Sequence, residues 1–319
     1  MQHRLSLDHI AAAMTIIDPV FLHTPQFCAD ALEPTLGCQL VVKVETVNPI
    51  RSFKGRSASY LLAQLPVGSS VICASAGNLG QAMAYAGRAR GIQVIVYASV
   101  HANPLKLERM RALGAEVRLH GADFDAAKAE ARRVAEMTGA RLVEDSLAPE
   151  TGEGAGTIGL ELLGWPEPID AILVALGNGA LLTGVGRWVK AHAPQTQVIG
   201  VVAAGAPAMA ESWRAGRAVS TAQAQTIADG IAVRVPIPEV LADMQGTVDD
   251  VVQVGEESLV QGMRLLHQHL GLVVEPSGAA GVAAILEQPA RFAGRRVATV
   301  LCGGNLTPEQ IQRWLREPS

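Results

Sequence analysis

Val71-Ile72-Cys73-Ala74-Ser75-Ala76-Gly77-Asn78-Leu79-Gly80-Gln81 sets the architecture of the chain. A β-branched apolar run of strand type ends at Cys73, gives way to a turn of small and polar residues, and opens a helical segment through Tyr85. Strand, tight turn and helix in direct succession form the repeating unit of a parallel sheet. The succession recurs outward from this stretch: residues 40–44, 94–98, 172–176, 198–202 and 297–301 are further apolar runs, each followed by a turn and helix-like sequence. Between Val94 and Leu119 the order strand, helix (104–113), Gly114, strand completes a βαβ unit. Phe124–Thr138 reads as a helix with Ala127, Ala131 and Val134 in register and Gly139 as its stop. Glu256–Leu270 reads as another, with Leu259, Val260, Met263 and Leu266 on one stripe. The pattern predicts an α/β protein with mostly parallel sheets flanked by helices.

Composition narrows the class. With 319 residues, 49% hydrophobic and 18% charged, the chain reads as a soluble globular protein large enough for two lobes. A net charge of -4 without any lysine or arginine run argues against nucleic-acid or membrane-surface partners and for a small-molecule ligand. Cys28, Cys38, Cys73 and Cys302 stand far apart with no CxxC pair, the usage of reduced thiols in a cytoplasmic protein. Met1 to Ser6 lacks the apolar core of a signal peptide, so export is not expected. The uncharged stretch between Arg56 and Arg88 is interrupted by Pro66, Gly68, Ser75 and Asn78 and reads as buried core rather than a membrane span.

Four further features carry chemistry. Ser52-Phe53-Lys54-Gly55 places a lysine between an aromatic residue and a glycine, after the turn-forming Asn48-Pro49 and before a helical run. The positive end of a helix dipole disfavours the charged amine, and a free amine can form a Schiff base; a solvated surface lysine is the alternative. Ser75-Ala76-Gly77-Asn78 has the small side chains that let backbone N–H groups approach a carboxylate, or it is a structural turn with Ser75 as N-cap. Gly177-Asn178-Gly179-Ala180-Leu181 follows a strand and leads into a helix, a nest suited to a phosphate. A dinucleotide fingerprint fits it poorly, because Leu182 stands where the third glycine belongs. Cys302-Gly303-Gly304-Asn305 ends a strand and faces the crevice where open α/β sheets bind ligands, or holds one more buried cysteine.

In this order, with Thr226-Ile227-Ala228-Asp229-Gly230 and Glu275-Pro276-Ser277-Gly278 between them, these motifs resemble the fold type II (β-family) pyridoxal-phosphate enzymes, of tryptophan synthase β-like architecture, and within them the serine/threonine dehydratases. The resemblance spans His23-Thr24-Pro25 to Asn305. It implies that Lys54 carries pyridoxal 5'-phosphate as a Schiff base and that Phe53 packs on the ring. Gly177, Asn178, Gly179, Ala180 and Leu181 would cradle the phosphate. Asn78 would bond the ring hydroxyl, Ser75, Ala76, Gly77 and Asn78 would receive the substrate, and Cys302 would face the ring nitrogen. A thiol cannot hold that nitrogen protonated, so elimination is favoured over long-lived carbanion chemistry.

The implied activity is that of an ammonia-lyase: α,β-elimination of a β-hydroxy amino acid (serine, threonine or a 3-substituted serine) to a 2-oxo acid and ammonia, with Lys54 as the base. The alternatives are a β-replacement synthase on the same fold and a cofactor-free or nucleotide-binding regulatory protein. The resemblance also implies a discontinuous large cofactor-binding lobe (1–66 and 145–319), a small lobe (67–144) and a homodimer. Because the sequence ends soon after Asn305, a C-terminal regulatory domain is not expected. Ala76 stands where related racemases carry a hydroxyl, which disfavours racemisation, and the segment 201–208 lacks the carboxylates that bind a cation in many relatives, so no metal is expected. Glu153 reads as a solvated loop carboxylate with substrate contact as the alternative; Arg51 reads as an exposed loop residue or the reader of a second carboxylate. His267 and His269 point to different helix faces and make a poor metal pair.

Overall fold

The computed structural model describes residues 3–316. Its strands are β1 (Gln26–Cys28), β2 (Gln39–Val44), β3 (Ser70–Ala74), β4 (Gln93–Ala98), β5 (Glu116–Leu119), β6 (Arg141–Val143), β7 (Ala171–Ala175), β8 (Gln197–Ala203), β9 (Asp250–Val254) and β10 (Arg296–Leu301). They form two sheets: six strands in the order β1-β2-β10-β7-β8-β9, and four in the order β5-β4-β3-β6. Every pairing is parallel except β1 with β2. All five residues of β7 are buried, as a strand covered by helices on both faces must be, whereas β5 at an edge is half exposed.

The order of strands locates the crevices. From β3 the chain runs outward through β4 to β5 and then returns to place β6 on the other side of β3. From β7 it runs outward through β8 to β9 and then returns to place β10 on the other side of β7. The carboxyl ends of β3 and β6, and of β7 and β10, therefore flank topological switch points, where helices leave in opposite directions and open a ligand-sized gap.

Phe124–Thr138 and Glu256–Leu270 are helices with the bounds read from sequence; Asp123 caps the first by accepting from Ala126 N–H, and Gly139 and Gly271 end them in the left-handed conformation. Strands β1, β6 and β9 add to those expected from the apolar runs. The first two have three residues each, too few for a periodic signal, and β9 follows Asp249 and carries Gln253 inside it.

Pro149–Leu162 is also a helix, despite four internal glycines, and Glu153 on it is buried, which corrects its reading as a loop carboxylate. A Cβ on Gly154 would stand 2.8 Å from the Arg56 carbonyl, and one on Gly159 3.0 Å from that of Val185. The glycines let this helix pack closely on Lys54–Ala63 and Ala180–His192, and that packing overrides their low helix propensity. Glu153 accepts from Ser6 N–H and bonds the His9 ring, both at 3.0 Å, so it fastens the Leu7–Ile16 helix rather than facing a ligand.

Candidate active site

Five turns at carboxyl ends of strands meet between the two sheets. Lys54 opens the helix Lys54–Ala63, which begins after β2 and the turn that follows it. Gly55 comes next because the Phe21 ring lies where a Cβ would be. The Lys54 side chain is 12% exposed, and its Nζ donates to both oxygens of Asp145, at 2.7 and 2.6 Å. The Phe53 ring centroid lies 4.6 Å from the same Nζ. Phe53 N–H donates to the Cys302 carbonyl at 3.0 Å and Ser52 bridges Gly303, so the lysine turn is fixed to the end of β10.

After β3, Ser75 Oγ accepts from the N–H groups of Gly77 (3.1 Å) and Gly80 (3.0 Å), holding the turn before the Asn78–Arg90 helix. Among the described residues, the N–H groups of Ala76, Asn78 and Leu79 meet no acceptor, the arrangement of an anion nest. Asn78 is fixed from both sides of its amide: Nδ2 donates to Glu275 Oε1 at 2.8 Å, and Oδ1 accepts from Asn305 Nδ2 at 2.8 Å. One side-chain N–H of Asn78 remains for a ligand. Asn305 also receives Arg109 at 3.2 Å and donates to the Ile50 carbonyl. Burial first, and the charge of Asp229 second, push the Glu275 carboxyl up to about 7.

After β7, Gly179 takes φ +105°, and a Cβ on Gly177 would stand 2.6 Å from the Gly230 carbonyl, so both glycines are required by the backbone. Asn178 does not need the left-handed conformation. Ala180 N–H donates to Ser146 Oγ at 2.9 Å, while the N–H groups of Asn178, Gly179 and Leu181 have no acceptor among the described residues. Cys302 is buried, and desolvation, reinforced by Glu275, raises its thiol well above the usual range, so it stays neutral.

The donor set fits pyridoxal phosphate: an amine near an aromatic ring, a glycine-cradled group of free N–H donors at a helix start, a fixed amide and a neutral thiol. A family profile described as pyridoxal-phosphate dependent enzyme matches residues 17–303. The chain belongs to this family. The pyridoxal-phosphate enzymes it matches include the L-threonine ammonia-lyase of Thermotoga maritima, 34% identical over 312 residues, covering 97% of this chain and 78% of that protein. The biosynthetic L-threonine dehydratase of Escherichia coli is 32% identical over 288 residues, 89% of this chain and 56% of that protein, so the chain spans only part of that enzyme. Among solved structures, a threonine deaminase designated T.th. superposes with a TM-score of 0.89 at 34% identity, covering 95% of this chain and 99% of the other. Maize serine racemase superposes at 0.92 with 29% identity, covering 98% and 97%. The fold is thus that of the fold type II pyridoxal-phosphate enzymes, and the cofactor of the family is pyridoxal phosphate.

Asp145, Ser146, Glu275 and Asn305 complete the cleft beyond the site residues expected from sequence. Glu275 and Asn305 lie inside motifs named above; Asp145 and Ser146 follow the three-residue β6 and carry no pattern. Arg51 is exposed with φ 52°, and its side chain makes no hydrogen bond or ion pair among the described residues. Asp229 pairs with Lys106. Among the described residues no cluster of three or more His, Cys, Asp or Glu side chains is placed to hold a metal ion, and no helix is long and apolar enough to cross a membrane.

Proposed function

We propose that the chain is an ammonia-lyase that eliminates the β-hydroxyl of serine, threonine or a 3-substituted serine, releasing a 2-oxo acid and ammonia. The observation that carries this reading is the convergence of Lys54, Asn78, the 177–181 loop and Cys302 in one cleft, in a chain whose relatives include threonine ammonia-lyases. Lys54 would hold the cofactor, and its amine would move the Cα proton. Phe53 would pack on the ring, Asn78 would donate to the ring hydroxyl, and the N–H groups of Asn178, Gly179 and Leu181 with Ser146 would hold the phosphate. Ser75 and the N–H groups of Ala76, Asn78 and Leu79 would orient the substrate carboxylate, with Gly77 N–H taken by Ser75 Oγ. Bound pyridoxal phosphate supplies the electron sink for bond cleavage at Cα. The neutral Cys302 thiol would face the ring nitrogen and keep that sink moderate, and Ala76, which has no hydroxyl to act as a second base, supports elimination over racemisation.

We further propose a large cofactor lobe of residues 1–66 and 145–319, a small lobe of 67–144, a homodimeric assembly and a cytoplasmic location. The test is incubation of the cofactor-loaded protein with serine or threonine alone. Oxo acid and ammonia in equal amounts support the lyase reading; product only when a second nucleophile is added assigns β-replacement instead.

A further inference from the structure

Asp145 is the one charged partner of Lys54 among the described residues, and no sequence motif points to it. Both carboxylate oxygens lie within 2.7 Å of the lysine nitrogen, and among the described residues no other side chain bonds them. Lys128 lines the same cavity as Asp145 and, with Arg132, pairs with Glu144; Lys106 pairs with Asp229 and Arg109 donates to Asn305. Arg51 lies exposed on the turn before Lys54, its carbonyl accepting from Gly304 N–H, and its side chain makes no bond to Asp145. When the Lys54 amine is committed to the cofactor, Asp145 therefore remains as an uncompensated negative charge on the cleft wall, 17% exposed. The free N–H groups of Ala76, Asn78 and Leu79 provide for one carboxylate, and among the described residues no cation other than Lys54 bonds Asp145.

We propose that Asp145 sets the side-chain class of the substrate: it accepts a hydrogen bond from an uncharged β-hydroxyl and rejects side chains that bear a carboxylate. This rests on the ammonia-lyase reading and narrows it to serine-like and threonine-like substrates over 3-hydroxyaspartate. Two carboxylates in a partly desolvated cleft repel strongly enough to dominate specificity, and a short acceptor–hydroxyl bond adds to the difference.

The test is a binding titration of the cofactor-loaded protein with alanine and with aspartate, neither of which carries a β-hydroxyl, read as the change in cofactor absorbance. The wild type is expected to bind alanine at least about tenfold more tightly than aspartate, and Asp145→Asn to shrink that ratio by about tenfold or more. Asp145→Glu keeps the charge and is expected to keep the preference; kcat/KM for serine over 3-hydroxyaspartate moves in the same direction as binding. An intact absorbance band with an unchanged alanine-to-aspartate ratio in Asp145→Asn overturns the assignment, as does a Glu variant that loses the preference as fully as the Asn variant. A protein that develops no cofactor band at all overturns the ammonia-lyase reading itself, and Asp145's role with it.

Discussion

Lys54 and Arg56 stand two residues apart on one helix, yet they belong to different regions of the molecule. Two residues of α-helix turn a side chain by roughly 200°, so one cation faces the cleft and the other the core. Lys54 has a single charged partner among the described residues, Asp145. Arg56 is fully buried and donates to Glu45, Glu161, Thr24 and Thr157. Lys43 joins the same cluster through Glu161, giving two cations and two carboxylates with balanced charge. Burial alone would raise the Glu161 carboxyl, but hydrogen bonds and charge from Arg56 and Lys43 hold it down at about 2. The core cluster joins β2, the lysine helix and the Pro149–Leu162 helix. The difference shows how the fold divides labour: a saturated ion network holds the helix in place, and a sparsely partnered lysine at its first turn is left free to react.

The largest effect is expected at Lys54. Lys54→Ala is expected to lower turnover of serine or threonine by about a thousandfold or more while leaving the melting temperature nearly unchanged, as checked by oxo-acid release and calorimetry. At Arg56 the expectation reverses. Arg56→Met leaves Glu45 and Glu161 buried without that cation and is expected to cost about 3–5 kcal/mol of stability in urea unfolding. Equal loss of stability in both variants would erase the distinction between the two regions.

Titration separates the core from the cleft as well, because the two carboxyls respond to pH with opposite sign. Glu161 has a folded value of about 2, below its ordinary value of 4.5, so its contribution is present above about 4.5 and lost as pH falls toward 2. Glu275 has a folded value of about 7, above 4.5, so its contribution is present below about 4.5 and lost as pH rises through 7. Stability measured against pH is expected to lose its slope in the acid window in Glu161→Gln, and its slope between about 4.5 and 7 in Glu275→Gln. The smallest effect is expected at Cys302. Cys302→Ser keeps a neutral donor and acceptor, so turnover is expected to change by less than about tenfold.

Much of this can be read from the chain. The apolar runs beginning near Leu40, Val71, Val94, Ile172, Val198 and Val297 are strands because β-branched residues in short continuous runs suit a sheet buried on both faces. Lys54 is at a helix start, and Ser75–Asn78, Gly177–Leu181 and Cys302 are at strand ends, because glycine and small polar residues mark such turns. The links between turns cannot be read in this way. Asn78 reaches Glu275 across 197 positions and Asn305 across 227, and no local pattern encodes a contact of that span. The helix at Pro149–Leu162 is masked by its glycines, which are there for the neighbouring backbones rather than for the helix itself. Asp145 escapes a sequence reading because its meaning lies in the side chain it faces.

Everything proposed for the cleft depends on Lys54, and no other lysine, holding the cofactor. Borohydride reduction of the pyridoxal-phosphate-loaded protein, followed by peptide mapping, reads this directly. One stoichiometric pyridoxyl label on Lys54 is expected, with the Lys54→Ala protein unlabelled. A label on Lys43, Lys106 or Lys128, or an equal label in the variant, would contradict it.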